Sequence, residues 1–267
     1  MPITFSTCFY IIKSKFDPSI YVQWMNNFIS ITKNFNLVIY TDDNSIHYIK
    51  AENNPRIRVI IKPLEKFYNY KYRHYWISNH ERNNLLKNKS SWELNMLWSE
   101  KLWFVKDTID NKYFETNFYG WCDIGYFRNR YNDVNTASLT HWPSEEKLSH
   151  LDPSKITYAC VNNDISYIAQ LAAVIKNKAS NGLPKTPIPN DQISFAGGFF
   201  IMKPELVDWY TKTYEDKLRL YFENGCLVKD DQIIVADCIF SNTYKFSIFK
   251  EHNQRYDNWF MFQRILM

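Results

Sequence analysis

Tyr119-Gly120-Trp121-Cys122-Asp123-Ile124-Gly125 sets a run of aromatic and apolar residues against a carboxylate and a glycine. Such a run predicts a buried strand that breaks off at Asp123, because an unpaired carboxylate is costly to bury and has to meet water, a cation or a ligand. In open α/β sheets the C-terminal ends of strands are where ligands bind. Gly125 permits a sharp turn or a close approach, and Arg128 follows as a natural partner for an anion. The plainer reading of the same residues is a strand closed by a capping Asp and a turn Gly.

Outward from this stretch, the chain alternates strand and helix patterns. Ile3 to Ile12 is an apolar, β-branched run that predicts a first strand. Asp17-Pro18 opens a helix to about Lys33, with Tyr21, Trp24, Met25, Phe28 and Ile31 at helical spacing. Leu37 to Tyr40 and Ile57 to Ile61 read as two further strands, so the first part of the chain is expected to form βαβ units with parallel pairing. Tyr68 to Lys89 lacks periodicity and reads as an irregular helical excursion, and Ser91 starts a clearer helix to about Ile109. Strands are expected at Ile156 to Val161 and Ile193 to Met202, with helices at Ile165 to Lys178 and Pro204 to Glu223. A helix-and-strand pair is expected between Asp230 and Phe249. No repeat, low-complexity linker or composition shift divides residues 1–267, which are read as one α/β domain, a mixed central sheet flanked by helices.

Composition narrows the function classes. Aromatic residues make up 18% of the chain, enough to build a core and still offer flat faces to sugar rings or nucleobases. A net charge of +4 with intermingled signs argues against nucleic acid and suits an anionic small ligand. The five cysteines are scattered, without a CxxC pair or a Cys/His cluster, so neither a zinc site nor a disulfide framework is indicated; reduced thiols fit a cytoplasmic protein. No apolar run reaches transmembrane length, and the N-terminus lacks a signal-peptide layout.

Two further stretches carry chemistry. Gly197-Gly198 sits inside Phe195-Ala196-Gly197-Gly198-Phe199-Phe200, where a double glycine in a strand implies either close approach to the backbone or a β-bulge. Lys229-Asp230-Asp231-Gln232 precedes the apolar helix Ile233 to Ile239; its acids suit a reactive site or simply the positive end of the helix.

Taken in order, the set is familiar. A first strand, Tyr21-x-x-Trp24, Val38-Ile39-Tyr40-Thr41-Asp42, Ser99-Glu100-Lys101, Trp121-Cys122-Asp123-Ile124-Gly125-Tyr126-Phe127-Arg128, Ala196-Gly197-Gly198-Phe199-Phe200 and Asp230-Asp231-Gln232 together resemble the GT-A glycosyltransferases. More narrowly they resemble the HtrL/WlaTC-type glycosyltransferases, over about Ile3 to Phe240. The resemblance implies a nucleotide-sugar donor with a divalent cation, Mn²⁺ or Mg²⁺, on its diphosphate. Asp123 matches the first carboxylate of the Asp-x-Asp metal motif, and Gly125 stands where the second belongs. One carboxylate with phosphate oxygens and water can hold a hard cation. His252 is a further metal candidate by similarity to transferases that supply a late His.

The same logic assigns Thr7, Phe9, Thr41 and Asp42 to the base and ribose, with Asp42 accepting from a uracil N3–H or else capping its turn. Lys101 and Arg128 are assigned to the diphosphate, Lys101 being equally a solvated helix residue. Gly197 and Gly198 would admit the sugar or acceptor, and Asp231 with Asp230 would serve catalysis. The expected activity is metal-dependent transfer from a UDP-sugar to a glycan or glycosylated acceptor. A sugar-nucleotide hydrolase or nucleotidyltransferase, and a carbohydrate-binding protein without enzymatic activity, stand as alternatives. No GxGxxG or Walker motif occurs, which argues against a dehydrogenase or P-loop enzyme.

Overall fold

The parity of residues along each strand sorts the side chains into two cores, one on either face of a seven-stranded sheet. The computed structural model describes residues 2–267 except Glu52 and Gln254. The strands are β1 (Ile3–Cys8), β2 (Asn36–Thr41), β3 (Ile57–Ile61), β4 (Phe118–Cys122), β5 (Ile156–Ala159), β6 (Phe199–Met202) and β7 (Phe246–Phe249), in the order β3-β2-β1-β4-β6-β5-β7. Only β6 runs against its neighbours, so the sheet is mixed. Val38, Tyr40, Tyr119, Trp121, Phe200 and Met202 point to one core, while Leu37, Ile39, Phe118, Cys122, Phe199 and Ile201 point to the other. Near-continuous apolar strands are what a sheet covered on both faces requires.

The α-helices are α1 (Pro18–Ser30), α2 (Arg73–Arg82), α3 (Trp92–Asp110), α4 (Glu145–Ser149), α5 (Ile165–Lys176), α6 (Val207–Glu223), α7 (Asp231–Ser241) and α8 (Phe262–Ile265). α1 starts where expected because Asp17 caps it, accepting the Ser19 N–H at 2.9 Å, with Pro18 in the first turn. Helix α3 packs on β1 and β4 and is buried on most of its surface, since α2, α6 and α7 cover its outer side. Its polar groups are therefore paired: Glu100 accepts the backbone N–H groups of Tyr68 and Asn69 at 2.7 and 3.0 Å. No helix among the described residues is long and apolar enough to cross a membrane.

Several boundaries differ from the expected ones. β1 stops at Cys8, four residues early, because after Phe9 the chain leaves the sheet and the Ile11 N–H turns to Ser45 Oγ at 2.9 Å. β6 starts at Phe199 rather than Ile193; upstream only Phe195 bridges Cys160, and Gly197-Gly198 form the turn into the strand. The double glycine is thus neither inside a strand nor a bulge. The stretch 68–89 contains the regular helix α2, and α4 and α8 arise in segments whose short apolar patterns gave no periodic signal.

From β1 the chain winds outward through β2 to β3, then returns to place β4 on the other side of β1. Such a switch point opens a crevice at the C-terminal ends of the two strands. Everything described below surrounds it.

Candidate functional site

A cavity of about 480 Å³ opens at this crevice, lined by Cys8 at the end of β1, Phe9 just after it and Asp123 after β4. Its centre is a lysine. Lys101, carried by α3 and 6% exposed, places Nζ 3.1 Å from Asp123 Oδ1, 3.2 Å from Asp231 Oδ2 and 2.9 Å from the carbonyl of Gly197. Of these acceptors, the Gly197 carbonyl takes a hydrogen bond from the ammonium, and the two carboxylates are ion-paired with it. Burial alone would lower the lysine's pKa, but the charges of Asp123 and Asp231 outweigh it and hold the ammonium firmly protonated.

The two carboxylates are fixed from behind. Trp121 Nε1 donates to Asp123 Oδ1 at 2.5 Å, and the Asp123 N–H donates to Gly198 O at 2.8 Å. A methyl group on Gly198 would lie 3.0 Å from Asp123 Oδ2, and one on Gly197 would lie 2.8 Å from Asp231 Oδ2. The double glycine therefore makes room for the carboxylates themselves. Both glycines also line the cavity.

Asp231 begins α7 and is buried; burial raises its pKa to about 6, with the Lys101 charge offsetting part of the rise and Asp230 and Asp123 adding to it. Asp230 is extended and does not cap the helix; one oxygen pairs with Lys229 at 3.1 Å and the other, Oδ1, is buried without a partner. The segment before this pair is clamped by three buried asparagines. Asn79 exchanges two hydrogen bonds of 2.8 Å with the backbone of Val228, Asn83 donates to Lys229 O at 3.0 Å, and Asn95 donates to both carbonyls at 3.2 Å. Asn79 and Asn83 lie in the stretch read as irregular. Their i,i+4 spacing was the available signal, and it is missed when only apolar periodicity is followed.

Arg128 lines the same cavity. Its guanidinium lies 4.2 Å from the Trp24 ring centroid and 4.9 Å from that of Phe260, and its Nε donates to Gly125 O at 2.7 Å. Gly125 is needed here because a methyl group would sit 2.7 Å from the Trp24 ring. No described carboxylate lies within ion-pairing distance of Arg128, while burial and the nearby Arg130 charge lower its pKa. Lys15, set 5.1 Å from the Trp98 ring, also lines the cavity without an ion-pair partner among the described residues. Stacked, unpaired cations of this kind form an anion-binding wall. Cys8 is no nucleophile, since burial and then the Asp123 charge push its thiol well above the ordinary value.

Of the candidates drawn from the sequence, Phe9, Lys101, Asp123, Arg128, Gly197, Gly198, Asp230 and Asp231 meet at the cavity. Four do not line it. Thr7 is buried inside β1, and Thr41 is buried with its hydroxyl donating to Phe9 O at 2.8 Å. Asp42 accepts the Ser45 N–H at 2.9 Å, so it caps its turn rather than reading a base. His252 is exposed beyond β7 and does not line the cavity. It is not brought to Asp123. Lys101 in turn is neither solvated nor free for a diphosphate.

A divalent cation at Asp123 fits poorly. The space between Asp123 and Asp231, which a hard ion would bridge, holds the Lys101 ammonium, and His252 supplies nothing. The family that the sequence resembles receives no support from elsewhere: no protein-family model and no curated protein matches the chain.

Proposed function

We propose that this chain is a glycosyltransferase of the GT-A type, taking a nucleotide-sugar donor, most simply a UDP-sugar, and passing the sugar to a hydroxyl of a glycan or glycosylated acceptor. The observation that carries the reading is the gathering of cations and acids in one crevice. Arg128 and Lys15, without an ion-pair partner among the described residues, line the same cavity as the acids Asp123, Asp230 and Asp231 at the switch point of the sheet. A leaving diphosphate needs cations, and a sugar hydroxyl about to react needs a carboxylate. A protein that merely bound glycans would have no use for buried acids held by a lysine.

In this reading Arg128 and Lys15 take the diphosphate. The anomeric carbon breaks its bond to the diphosphate oxygen, which keeps the electron pair, and forms a bond to the acceptor oxygen. The acceptor's proton passes to a carboxylate, Asp231 in an inverting transfer; in a retaining transfer Asp231 instead supports the positive charge growing on the sugar. Phe9, Tyr10, Phe16 and Tyr21 line the same cavity and offer faces for the base.

A thermal-shift panel of nucleotide sugars tests the proposal, because saturation at about 100 times Kd stabilises by ~2.7 kcal/mol. A UDP-sugar is expected to raise Tm in the wild type and much less in Arg128→Ala. Absence of a shift with every nucleotide sugar refutes the donor site. Release of free sugar regardless of acceptor identifies a hydrolase instead.

A further inference from the structure

We infer that the Lys101 ammonium is the resident cation of this site, holding the position between Asp123 and Asp231 that a divalent ion would take, so that donor binding needs no metal. The ligand in this inference is the one proposed above; the lysine's place rests on geometry alone.

Three features make the ammonium a fixture rather than a passing contact. Nζ lies within 2.9–3.2 Å of three oxygens, two carboxylate and one carbonyl, contributed by three separate parts of the chain. Its stem runs from a buried face of α3, with Nζ 5.9 Å from the Trp121 ring centroid, so Nζ cannot swing into water without leaving that packing. The glycines behind the carboxylates let both acids close on it, and larger residues would hold them off. A hard cation would need the same oxygens at ~2.0–2.2 Å. It would first have to displace a charge that the fold has already paired.

The second oxygen of Asp123 gives no alternative seat of equal quality. It rests against Gly198, and no other carboxylate or histidine among the described residues converges with Asp123 into a metal shell. The positive charge that a metal would bring to a diphosphate is present instead on Arg128 and Lys15, which have no ion-pair partner among the described residues.

The test is calorimetric titration with two probes, MnCl₂ alone and UDP, on wild type and Lys101→Met. In the wild type, Mn²⁺ alone is expected to give no saturable heat, and UDP affinity is expected to agree within about threefold between EDTA and excess Mn²⁺. In Lys101→Met the two carboxylates and Gly197 O become an all-oxygen ligand set, and Mn²⁺ alone is expected to bind and to raise Tm. Stoichiometric Mn²⁺ binding to wild type, lost in Asp123→Asn, overturns the inference. So does UDP affinity that improves more than about tenfold with Mn²⁺. If Lys101→Met does not fold, the wild-type titrations decide on their own. If UDP fails to bind under all conditions, the nucleotide-sugar reading falls, and the Mn²⁺ titration still judges the lysine.

Discussion

Replacing Lys101 by Met keeps the length of the stem and removes one charge from a cluster of three. What remains is Asp231, buried, and Asp123, whose side chain is 41% exposed, both aimed at a vacated point that lay 3.1–3.2 Å from each. At an effective dielectric near 20 each lost contact is worth ~5 kcal/mol of gross attraction, most of it offset in the wild type by the desolvation of the ammonium. Breaking a buried pair by removing one partner typically costs ~3–5 kcal/mol, and the exposure of Asp123 argues for the lower end, about 3 kcal/mol. In a chain of this size that lowers Tm by roughly 6–12 °C. The double variant Lys101→Met/Asp231→Asn is expected to recover much of the loss, since the buried orphan charge is then gone. Urea denaturation of the two single variants and the double variant gives the coupling directly. A loss below about 1 kcal/mol in Lys101→Met, or additivity in the double variant, would refute the view that the lysine holds the acids together.

Asp231, raised to about 6 by burial, must be deprotonated to act as a base, so turnover is expected to fall as pH drops through about 6. Asp231→Asn should lose ~10²–10⁴-fold in rate; an unchanged acid limb in that variant assigns the pKa elsewhere. Gly125→Ala pushes a methyl group into the Trp24 ring under Arg128 and is expected to destabilise by ~1–3 kcal/mol while weakening UDP binding, checked by denaturation and titration. Asp237 is buried beneath Lys217 and Lys178 at 2.6 and 2.7 Å, with Tyr221 and Ser241 also donating. Burial opposes its ionisation, but the charges of the two lysines prevail and hold its pKa below the ordinary value. The unfolded chain therefore binds this proton first as pH falls, and the stability Asp237 supplies, present above the ordinary carboxylate value, is lost as pH drops through the folded one. Asp237→Asn should cost about 3 kcal/mol at neutral pH and show a shallower acid-side decline; parallel pH profiles would contradict the assignment.

Much of the sheet was legible because its strands are short apolar runs bounded by polar turns. β3 falls on Ile57–Ile61 as read, and α1 and α3 begin where Asp17 and Ser91 announce them. The site was legible through residue types that are out of place: a carboxylate ending a strand of aromatics at Asp123, glycines in a chain with only six, a pair of acids at Asp230 and Asp231. What could not be read was which group faces which. Lys101 lies four residues after Leu97 and seven after Leu94, on the apolar face of its helix, yet a lysine there reads equally as a diphosphate ligand or a solvated side chain, because sequence does not show that α2, α6 and α7 enclose α3. Asp42 and His252 have the right chemistry at the wrong places, one engaged by its own turn and the other exposed outside the cavity. The antiparallel sense of β6 was likewise invisible, since four buried residues carry no mark of direction.

That reversed strand has a consequence for how the molecule breathes. β6 is the seam of the sheet: it alone joins β3-β2-β1-β4 to β5-β7. Asp123 belongs to the first half and Lys101 to the helix packed on it, while Asp231 heads α7, which packs chiefly on α5 and α6. The turn that accepts the lysine's hydrogen bond, 96 residues along the chain from it, is the lead-in to the seam itself. If four residues of β6 let go, Gly197 and Gly198 are no longer held behind the acids and the two halves lose their common ladder. Local melting at Phe199–Met202 and dispersal of the charge cluster are then a single event, so the arrangement of lysine and acids persists only while the seam is closed.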